Sequence, residues 1–119
     1  HTKNQQFLTE KMEANMIRVS VLYPNDPEKT FDEKYYIEKH IPLVKKSLEN
    51  KGLERVEIDR GISAADPNAP APFVMIAHLF FNSVEEVHEG FKAVGRDVQG
   101  DIANYTPIKP QYQIRETIS

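Results

Sequence analysis

Cysteine is absent from the sequence, so disulfide bonds, thiol nucleophiles and zinc sites with thiolate ligands are excluded. A long apolar run is missing as well, since no stretch approaches the roughly 20 residues that a membrane-spanning helix needs. There is no signal-peptide pattern, and a cytoplasmic location is therefore expected. The net charge is −3, with acidic and basic residues interspersed. This distribution argues against a nucleic-acid or anionic-membrane partner, because both require a basic patch.

The composition is that of one soluble globular domain. The length of 119 residues predicts a single domain, and 39% hydrophobic with 28% charged residues is typical of soluble proteins. A chain of this size buries a modest core, so association into an oligomer would help its stability. Residues 1–15 are polar and mixed, and they are interpreted as an N-terminal extension or the remnant of a tag. The domain is predicted to cover residues 16–119.

The stretch of residues 30–48 predicts the central amphipathic helix. Thr30 and Glu33 fit a capping box at its start. Pro42 lies inside the helical pattern and has no N–H to bond the carbonyl of Glu38, so a kink is expected there. The predicted buried stripe consists of Ile37, Ile41, Val44 and Leu48.

Four segments have the alternation or the apolar run that strands show. They are residues 17–23, 53–62, 73–81 and 112–117. Gly52 can take the left-handed conformation that ends the first helix, and Ser83 with Glu86 forms a capping box for a second amphipathic helix. The order β-α-β-β-α-β predicts an α+β, ferredoxin-like subunit. In that arrangement a four-stranded antiparallel sheet carries two helices on one face.

The third predicted strand, residues 73–81, is apolar on both of its faces. Such a strand is covered on both sides. The two helices can cover one side of the sheet. In so small a chain the other side requires a second sheet, so a homodimer through the sheet faces is expected.

Five segments in this order resemble an EthD-domain protein, and the resemblance covers residues 16–118. The segments are MIRVSVLYPN, FDEKYYIEKHIPLV, ERVEIDRGI, MIAHLFFNSVEEV and DIANYTPIKPQYQI. The most specific piece is the tyrosine pair followed by a histidine and a proline: Tyr35-Tyr36-x3-His40-x-Pro42-Leu43-Val44.

The resemblance implies the dimeric α+β barrel superfamily, in which ferredoxin-like subunits pack sheet to sheet as homodimers. Relatives in that superfamily include cofactor-independent monooxygenases, muconolactone isomerases, polyketide cyclases, decarboxylases and haem-using enzymes. The likeness favours an oxidoreductase, but it determines the fold better than the reaction.

His40 is the first candidate catalytic residue. It borders the buried stripe, and Tyr36 lies one turn earlier on the same side, so the two rings can meet. A kink at Pro42 would open a gap between helix and sheet beside them. A histidine there can act as a general base or acid near neutral pH. The simpler alternative is a border histidine that bonds the helix end or a loop.

His78 is the second candidate catalytic residue, and it lies among apolar residues of the third strand. Two interpretations stay open: a satisfied core histidine, or a second proton carrier or oxyanion donor in one pocket with His40. Asp59 is expected to pair with Arg18 or Arg60 at the dimer interface. The expected substrate-binding residues are aromatic, with Tyr105 also near the pocket mouth: Tyr36, Tyr23, Phe80 and Phe91.

No metal site is predicted, because the histidines lie on separate elements without paired-carboxylate or His-x-x-Glu spacing. A phosphate-binding glycine loop is absent as well, so a nucleotide cofactor is not predicted. Haem stays open, since a single histidine suffices as an axial ligand.

The predicted function is a small cofactor-independent enzyme of monooxygenase type. It would act on a small hydrophobic, aromatic or carbonyl compound by histidine-assisted proton transfer. Two alternatives stay open. One is a non-catalytic protein that binds a hydrophobic ligand or serves a degradation pathway; the other is a cyclase, isomerase or decarboxylase of the same superfamily.

Overall fold

The computed structural model describes residues 15–119. The extension or tag remnant predicted for residues 1–15 therefore falls, apart from Asn15, outside the described residues. The first helix, α1, has three consecutive parts. The elements are β1 (Ile17–Pro24), α1 (Glu33–Tyr35, Tyr36–His40 and Ile41–Leu48), β2 (Arg55–Arg60), β3 (Phe73–Phe81), α2 (Val84–Gly100), a 3₁₀ turn (Ile102–Asn104) and β4 (Gln111–Glu116).

The four strands form one antiparallel sheet in the order β2-β3-β1-β4. Both helices pack on one face of this sheet, which confirms the predicted ferredoxin-like α+β fold. That face, the helix side, carries alternate residues of β1 from Ile17 to Tyr23 and of β3 from Met75 to Phe81. Leu48 of α1 and Val87 of α2 are among the most completely buried side chains that cover it.

The opposite side of the sheet, the open face, carries the remaining residues of each strand. The predicted two-sided character of β3 is confirmed, since Ile76 and Phe80 lie here while Met75 and Leu79 lie on the helix side. The open face includes Arg18, Ser20 and Leu22 of β1, Arg55, Glu57 and Asp59 of β2, Ile76, His78 and Phe80 of β3, and Gln111, Gln113 and Arg115 of β4.

The first helix begins later than predicted. Its N-cap is Asp32, whose Oδ1 accepts a hydrogen bond from the backbone N–H of Tyr35 at 3.1 Å. The expected capping box of Thr30 with Glu33 is therefore wrong. Aspartate serves as an N-cap as well as threonine does, so two acceptable caps lay within three residues of each other.

The irregularity expected at Pro42 takes the form of a π-helical turn at Tyr36–His40. In this turn the N–H of Ile41 donates to the carbonyl of Tyr36, five residues earlier. The extra residue rotates the following turn, so Tyr36 and His40 are buried while Ile37 is 46% exposed. The prediction that Ile37 belongs to the buried stripe is therefore wrong.

Two predicted helix ends are observed, whereas the predicted end of the second strand is not. The cap of α2 is confirmed, because Ser83 Oγ accepts from the N–H of Glu86 at 3.2 Å. Gly52 has φ of 95° and ends α1 in the left-handed conformation. The predicted second strand was too long, since Ile62 is 83% exposed and follows the end of β2. Within residues 15–119, no helix is long and apolar enough to cross a membrane.

Candidate functional site

A narrow cavity lies on the helix side, between α1, α2 and the sheet. Its volume is about 30 Å³, which is room for one or two water molecules. Nearly all of its lining is apolar or aromatic. The lining residues are Val21, Tyr23, Ala77, Leu79 and Tyr112 of the sheet, Tyr36, His40, Ile41 and Val44 of α1, Phe91, Val98 and Gln99 of α2, and Ile102.

His40 lies at this cavity and is only 4% exposed. Its Nδ1 is 2.9 Å from Oδ2 of Asp101. An ionised carboxylate can only accept, so Nδ1 carries the proton and Nε2 holds a free lone pair. Among residues 15–119, Nε2 has no hydrogen-bond partner and is not sealed from solvent. The arrangement is a histidine oriented by a carboxylate, with its basic nitrogen available at the cavity.

Asp101 is itself held in place by further donors. Its Oδ1 accepts from the hydroxyl of Tyr35 at 2.7 Å and from the amide of Asn104 at 2.9 Å. Burial acts to raise the pKa of Asp101, but the hydrogen bonds from Asn104, Tyr35 and His40 outweigh it and hold that pKa below its usual value. The carboxylate is therefore ionised at neutral pH and fixed against rotation.

The imidazole of His40 is neutral at neutral pH. Burial lowers its pKa from the usual 6.5, and the neighbouring carboxylate of Asp101 offsets only part of that effect. A neutral imidazole with a free Nε2 can take up a proton directly. The developing positive charge would then be stabilised by Asp101, which is the role such a carboxylate has beside a catalytic histidine.

Tyrosines surround His40. The ring of Tyr36 stacks on it with centroids 5.6 Å apart and planes 16° apart, and the ring of Tyr105 lies 4.7 Å away. The hydroxyls of Tyr23 and Tyr105 hydrogen-bond at 2.6 Å. Burial raises the pKa of each of these three phenols well above the usual 10. All three are therefore neutral hydrogen-bonding groups at any pH where the protein would work.

Four of the six residues predicted for the site meet at this cavity: His40, Tyr36, Tyr23 and Phe91. The other two, His78 and Phe80, lie on the open face, because β3 residues of even number point away from the helices. The possibility that His78 shares a pocket with His40 is therefore wrong. Phe80 is covered by guanidinium groups of Arg18 at 4.7 Å and of Arg55 at 3.9 Å, so it does not line the cavity.

His78 belongs to a polar network on the open face. Its Nε2 lies 3.0 Å from Oδ2 of Asp59, and its Nδ1 lies 3.1 Å from Ser20 Oγ and 3.2 Å from the guanidinium of Arg115. Asp59 was expected to pair with an arginine instead. Arg60 is unavailable to it, because it forms a two-pronged ion pair with Glu33 at 2.6 and 2.7 Å.

Asp101 and Tyr35 are site residues that sequence reasoning missed. Asp101 is 61 positions from His40 and lies just beyond the end of α2. Tyr35 was noted only as part of the tyrosine pair. A short-range signal did exist, since Asp101 and Asn104 flank a single tight turn, but nothing in the sequence connects that turn to α1.

The described part of the chain contains no group of three or more histidine, aspartate or glutamate side chains placed to hold a metal ion. The cavity of about 30 Å³ would have to enlarge far more to take a haem beside His40 than to take a small ligand. Asp101 also holds the ring of His40 in its present orientation. The geometry thus offers proton transfer by the protein's own groups.

The sequence model of the EthD domain matches residues 26–107. The chain belongs to the EthD family. Its structure superposes on that of an EthD-like protein from Ralstonia eutropha JMP134 with a TM-score of 0.82 and 33% identity. This match covers 88% of the present chain and 94% of the Ralstonia chain. A search of curated proteins found no match.

Two more distant solved structures share the fold of this EthD protein. An EthD family protein from Bacillus halodurans C-125 has a TM-score of 0.55 and 18% identity, covering 82% of this chain and 98% of its own. A conserved protein from Bacteroides thetaiotaomicron VPI-5482, described as a possible oxidoreductase, has a TM-score of 0.51 and 18% identity, covering 86% and 99%.

Proposed function

We propose that this EthD protein is a cofactor-independent enzyme in which His40, oriented by Asp101, removes a proton from a small apolar compound. The observation that carries the proposal is the hydrogen bond of 2.9 Å between His40 and Asp101, which leaves Nε2 without a partner among residues 15–119 on a side chain that lines an apolar cavity. A general base needs a lone pair, a pKa below the working pH and a fixed orientation. His40 has all three.

An oxidoreductase of monooxygenase type is the reaction class we favour. Removal of a proton from an electron-rich carbon produces a carbanion, and dioxygen is the oxidant that can react with it without a cofactor. The family and the description of the Bacteroides structure support this class. A cyclase, isomerase or decarboxylase would use the same base, and product analysis distinguishes them.

Ligand entry requires the cavity to enlarge, because its present volume of about 30 Å³ admits only water. The wall of the cavity toward β4 is the part that can open. Tyr112 is 46% exposed on the edge strand, and Gln99 is exposed on α2. Both are surface side chains whose rotation costs little core packing, so we place the entrance between them.

The experiment follows exchange of carbon-bound hydrogen for deuterium in heavy water by proton NMR, with 2-indanone as a small apolar probe. We expect the protein to accelerate exchange, and His40→Gln to abolish the acceleration. His88→Gln is the matched control, because His88 is exposed on α2. Exchange that persists undiminished in His40→Gln would refute the proposed base.

A ligand-binding protein without catalysis is the second candidate. It is favoured by one observation: apart from His40, residues 15–119 contribute tyrosine hydroxyls and the amide of Gln99 to the cavity lining, but no carboxylate or amine. The same experiment separates the two candidates. Binding of 2-indanone with no exchange above the buffer rate would support binding alone.

We also propose that two copies associate through the open face. Leu22 and Ile76 are only half-buried on this face in the single chain. A facing sheet would cover these apolar side chains, and removing apolar surface from water favours association.

Light scattering measures this association. The wild-type protein is expected to have the mass of a dimer at micromolar concentration, and Ile76→Asp the mass of a monomer. Val84→Asp is the matched control, because Val84 is 38% exposed on the helix side. A wild-type monomer at these concentrations would disprove the dimer.

A further inference from the structure

We infer that the hydroxyl of Tyr36 is the hydrogen-bond donor that stabilises the oxyanion formed when His40 removes a proton, so the substrate is an enolisable carbonyl compound. This inference rests on the proposed function of His40. It adds a second catalytic group, and it narrows the substrate from apolar compounds in general to those that carry a carbonyl next to the acidic carbon.

Among residues 15–119, the hydroxyl of Tyr36 lacks the side-chain partner that three other tyrosines at the site have. Tyr35 donates to Asp101, and Tyr23 and Tyr105 bond to each other. Tyr36 is 1% exposed and lines the cavity. Within the described chain its hydroxyl has no hydrogen-bond partner, yet it is not enclosed. A hydroxyl that is not enclosed and bonds no group of the described chain is available to a ligand in the cavity.

The π-helical turn places Tyr36 and His40 side by side. Their rings stack with planes 16° apart and centroids 5.6 Å apart, and both residues line the same cavity. Each has one polar atom without a partner in residues 15–119: Nε2 accepts and the phenol donates. Because both side chains line one cavity, the base and the donor can contact two neighbouring positions of one small ligand, the acidic carbon and the oxygen of its carbonyl.

The phenol of Tyr36 is suited to donate rather than to ionise. Burial raises its pKa well above 10, and the nearby phenols of Tyr23 and Tyr112 raise it further. A neutral donor in an apolar cavity interacts strongly with an oxyanion, because little water competes for it. The same hydroxyl interacts less with an uncharged carbonyl oxygen, so it favours the charged state.

The proposed step is the enolisation of a ketone. Nε2 of His40 takes the proton from the α-carbon, and the electron pair of the broken C–H bond forms the carbon–carbon double bond. The π electrons of the carbonyl move to its oxygen, which becomes the enolate O⁻ and accepts the hydrogen bond from Tyr36. Return of a solvent deuteron from Nε2 to the carbon regenerates the ketone with one hydrogen exchanged, so no oxidant or reductant is consumed.

The first test uses Tyr36→Phe, which removes one hydroxyl and keeps the ring that stacks on His40. We expect deuterium exchange of 2-indanone to slow roughly 10²-fold, the effect of losing one oxyanion donor. Tyr112→Phe is the comparison variant, and a smaller loss is expected because Tyr112 is 46% exposed, so water competes for its hydroxyl. An equal loss in both variants would overturn the specific role of Tyr36.

The second test measures binding without turnover, by titration calorimetry above the pH at which 4-nitrophenol ionises. Wild-type protein should bind 4-nitrophenolate, an oxyanion, roughly tenfold or more tightly than Tyr36→Phe does, as expected for a hydrogen bond to a charged group. Nitrobenzene has no oxyanion, and its affinity should be the same for both proteins. Equal binding of 4-nitrophenolate by both would overturn the inference.

The outcomes separate this inference from the proposed function. If His40→Gln loses exchange while Tyr36→Phe keeps it and binds 4-nitrophenolate normally, His40 is the base and the inference about Tyr36 fails. If wild-type protein neither exchanges 2-indanone nor binds either nitro compound, both fail together. Near-ultraviolet circular dichroism of Tyr36→Phe checks that the aromatic cluster stays packed.

Discussion

The two sides of one sheet each hold a histidine near an aspartate, and the two histidines differ in what is left free. On the helix side, His40 uses Nδ1 to donate to Asp101 and keeps Nε2 without a partner in the described chain. On the open face, both ring nitrogens of His78 are within hydrogen-bond distance of a partner. A histidine with both nitrogens occupied cannot take a proton from a ligand without first losing a contact, so only His40 is poised to act.

The aspartates differ as well. The side chain of Asp101 is 14% exposed, whereas that of Asp59 is 64% exposed. Water screens the second pair and weakens its interaction, while the first pair retains most of it. A histidine next to an aspartate therefore does not by itself identify a catalytic site. The distinguishing features are the burial of the pair and a ring nitrogen without a partner among residues 15–119.

The largest expected effect is on catalysis. His40→Gln should slow exchange of 2-indanone by about 10²–10⁴-fold, the range for loss of a general base. His78→Gln should change the rate by less than about threefold, because His78 lies on the other side of the sheet. NMR rates for the two variants under identical conditions make the comparison. A large loss in His78→Gln would break the distinction between the two sides.

Core packing gives the next largest effect. Phe81 is 0% exposed on the helix side, and Phe81→Ala should lower the free energy of unfolding by about 3–5 kcal/mol. Leu22 is half-buried on the open face, and Leu22→Ala should cost about 1 kcal/mol in the single chain. Urea unfolding at several protein concentrations measures both. If the open face is a dimer interface, only the cost of Leu22→Ala grows with concentration.

Asp101→Asn should have an intermediate effect on stability and a diagnostic effect on pH dependence. Replacing one of the two acceptor oxygens by an amide NH2 leaves at least one of the donors His40, Tyr35 and Asn104 without its acceptor, which should cost about 1–3 kcal/mol of unfolding free energy at neutral pH. The pKa of Asp101 is lowered by folding, so its contribution is present above the unfolded pKa. It is lost as pH falls through the folded one. The stability difference from wild type should therefore shrink in acid.

The pH dependence of activity should also change in Asp101→Asn. The pKa of His40 is lowered by burial, so its base form persists below pH 6.5 and activity falls only as pH drops through the lowered value. Without the carboxylate of Asp101, which favours the protonated ring, that acidic limb should move to still lower pH. A pH–rate profile of wild type and Asp101→Asn measures the shift. A limb that moves upward would show that Asp101 does not act on His40 in this way.

The smallest expected effect is that of Asp59→Asn. Its side chain is 64% exposed, and its contact with His78 lies on the open face. Exposed pairs of this kind contribute about 0–1 kcal/mol, so the urea midpoint should change little and exchange of 2-indanone should be unchanged. A decrease in unfolding free energy as large as that of Asp101→Asn would show that the two aspartates contribute equally to stability.

Sequence reasoning located most of the fold. Period-two alternation located β1, and the two-sided apolar run located β3 with its observed bounds. The cap at Ser83 and the left-handed Gly52 followed from local chemistry. The first helix was predicted with the wrong cap and the wrong stripe. A π turn depends on how the helix meets the sheet around Tyr36 and His40, and a helical wheel assumes a regular period.

The sequence suggested the contact between two neighbouring site residues, but not the contacts between residues far apart in the chain. His40 and Tyr36 lie four residues apart, so a local pattern could suggest that they meet. Asp101 meets His40 only because α2 ends above the start of α1, and His78 is separated from His40 only because helices cover one face of β3 and not the other. The alternation along β3 is apolar on both faces, so sequence could not say which face the helices would choose.

The amino-acid sequence by itself determined the elements, their order, the family and one catalytic candidate, since these depend on periodicity and on neighbours along the chain. Only the tertiary structure decided which histidine keeps a ring nitrogen without a partner among residues 15–119 beside a cavity, and which tyrosine hydroxyl there lacks one. Those properties depend on distances between residues far apart in the chain, and packing sets those distances.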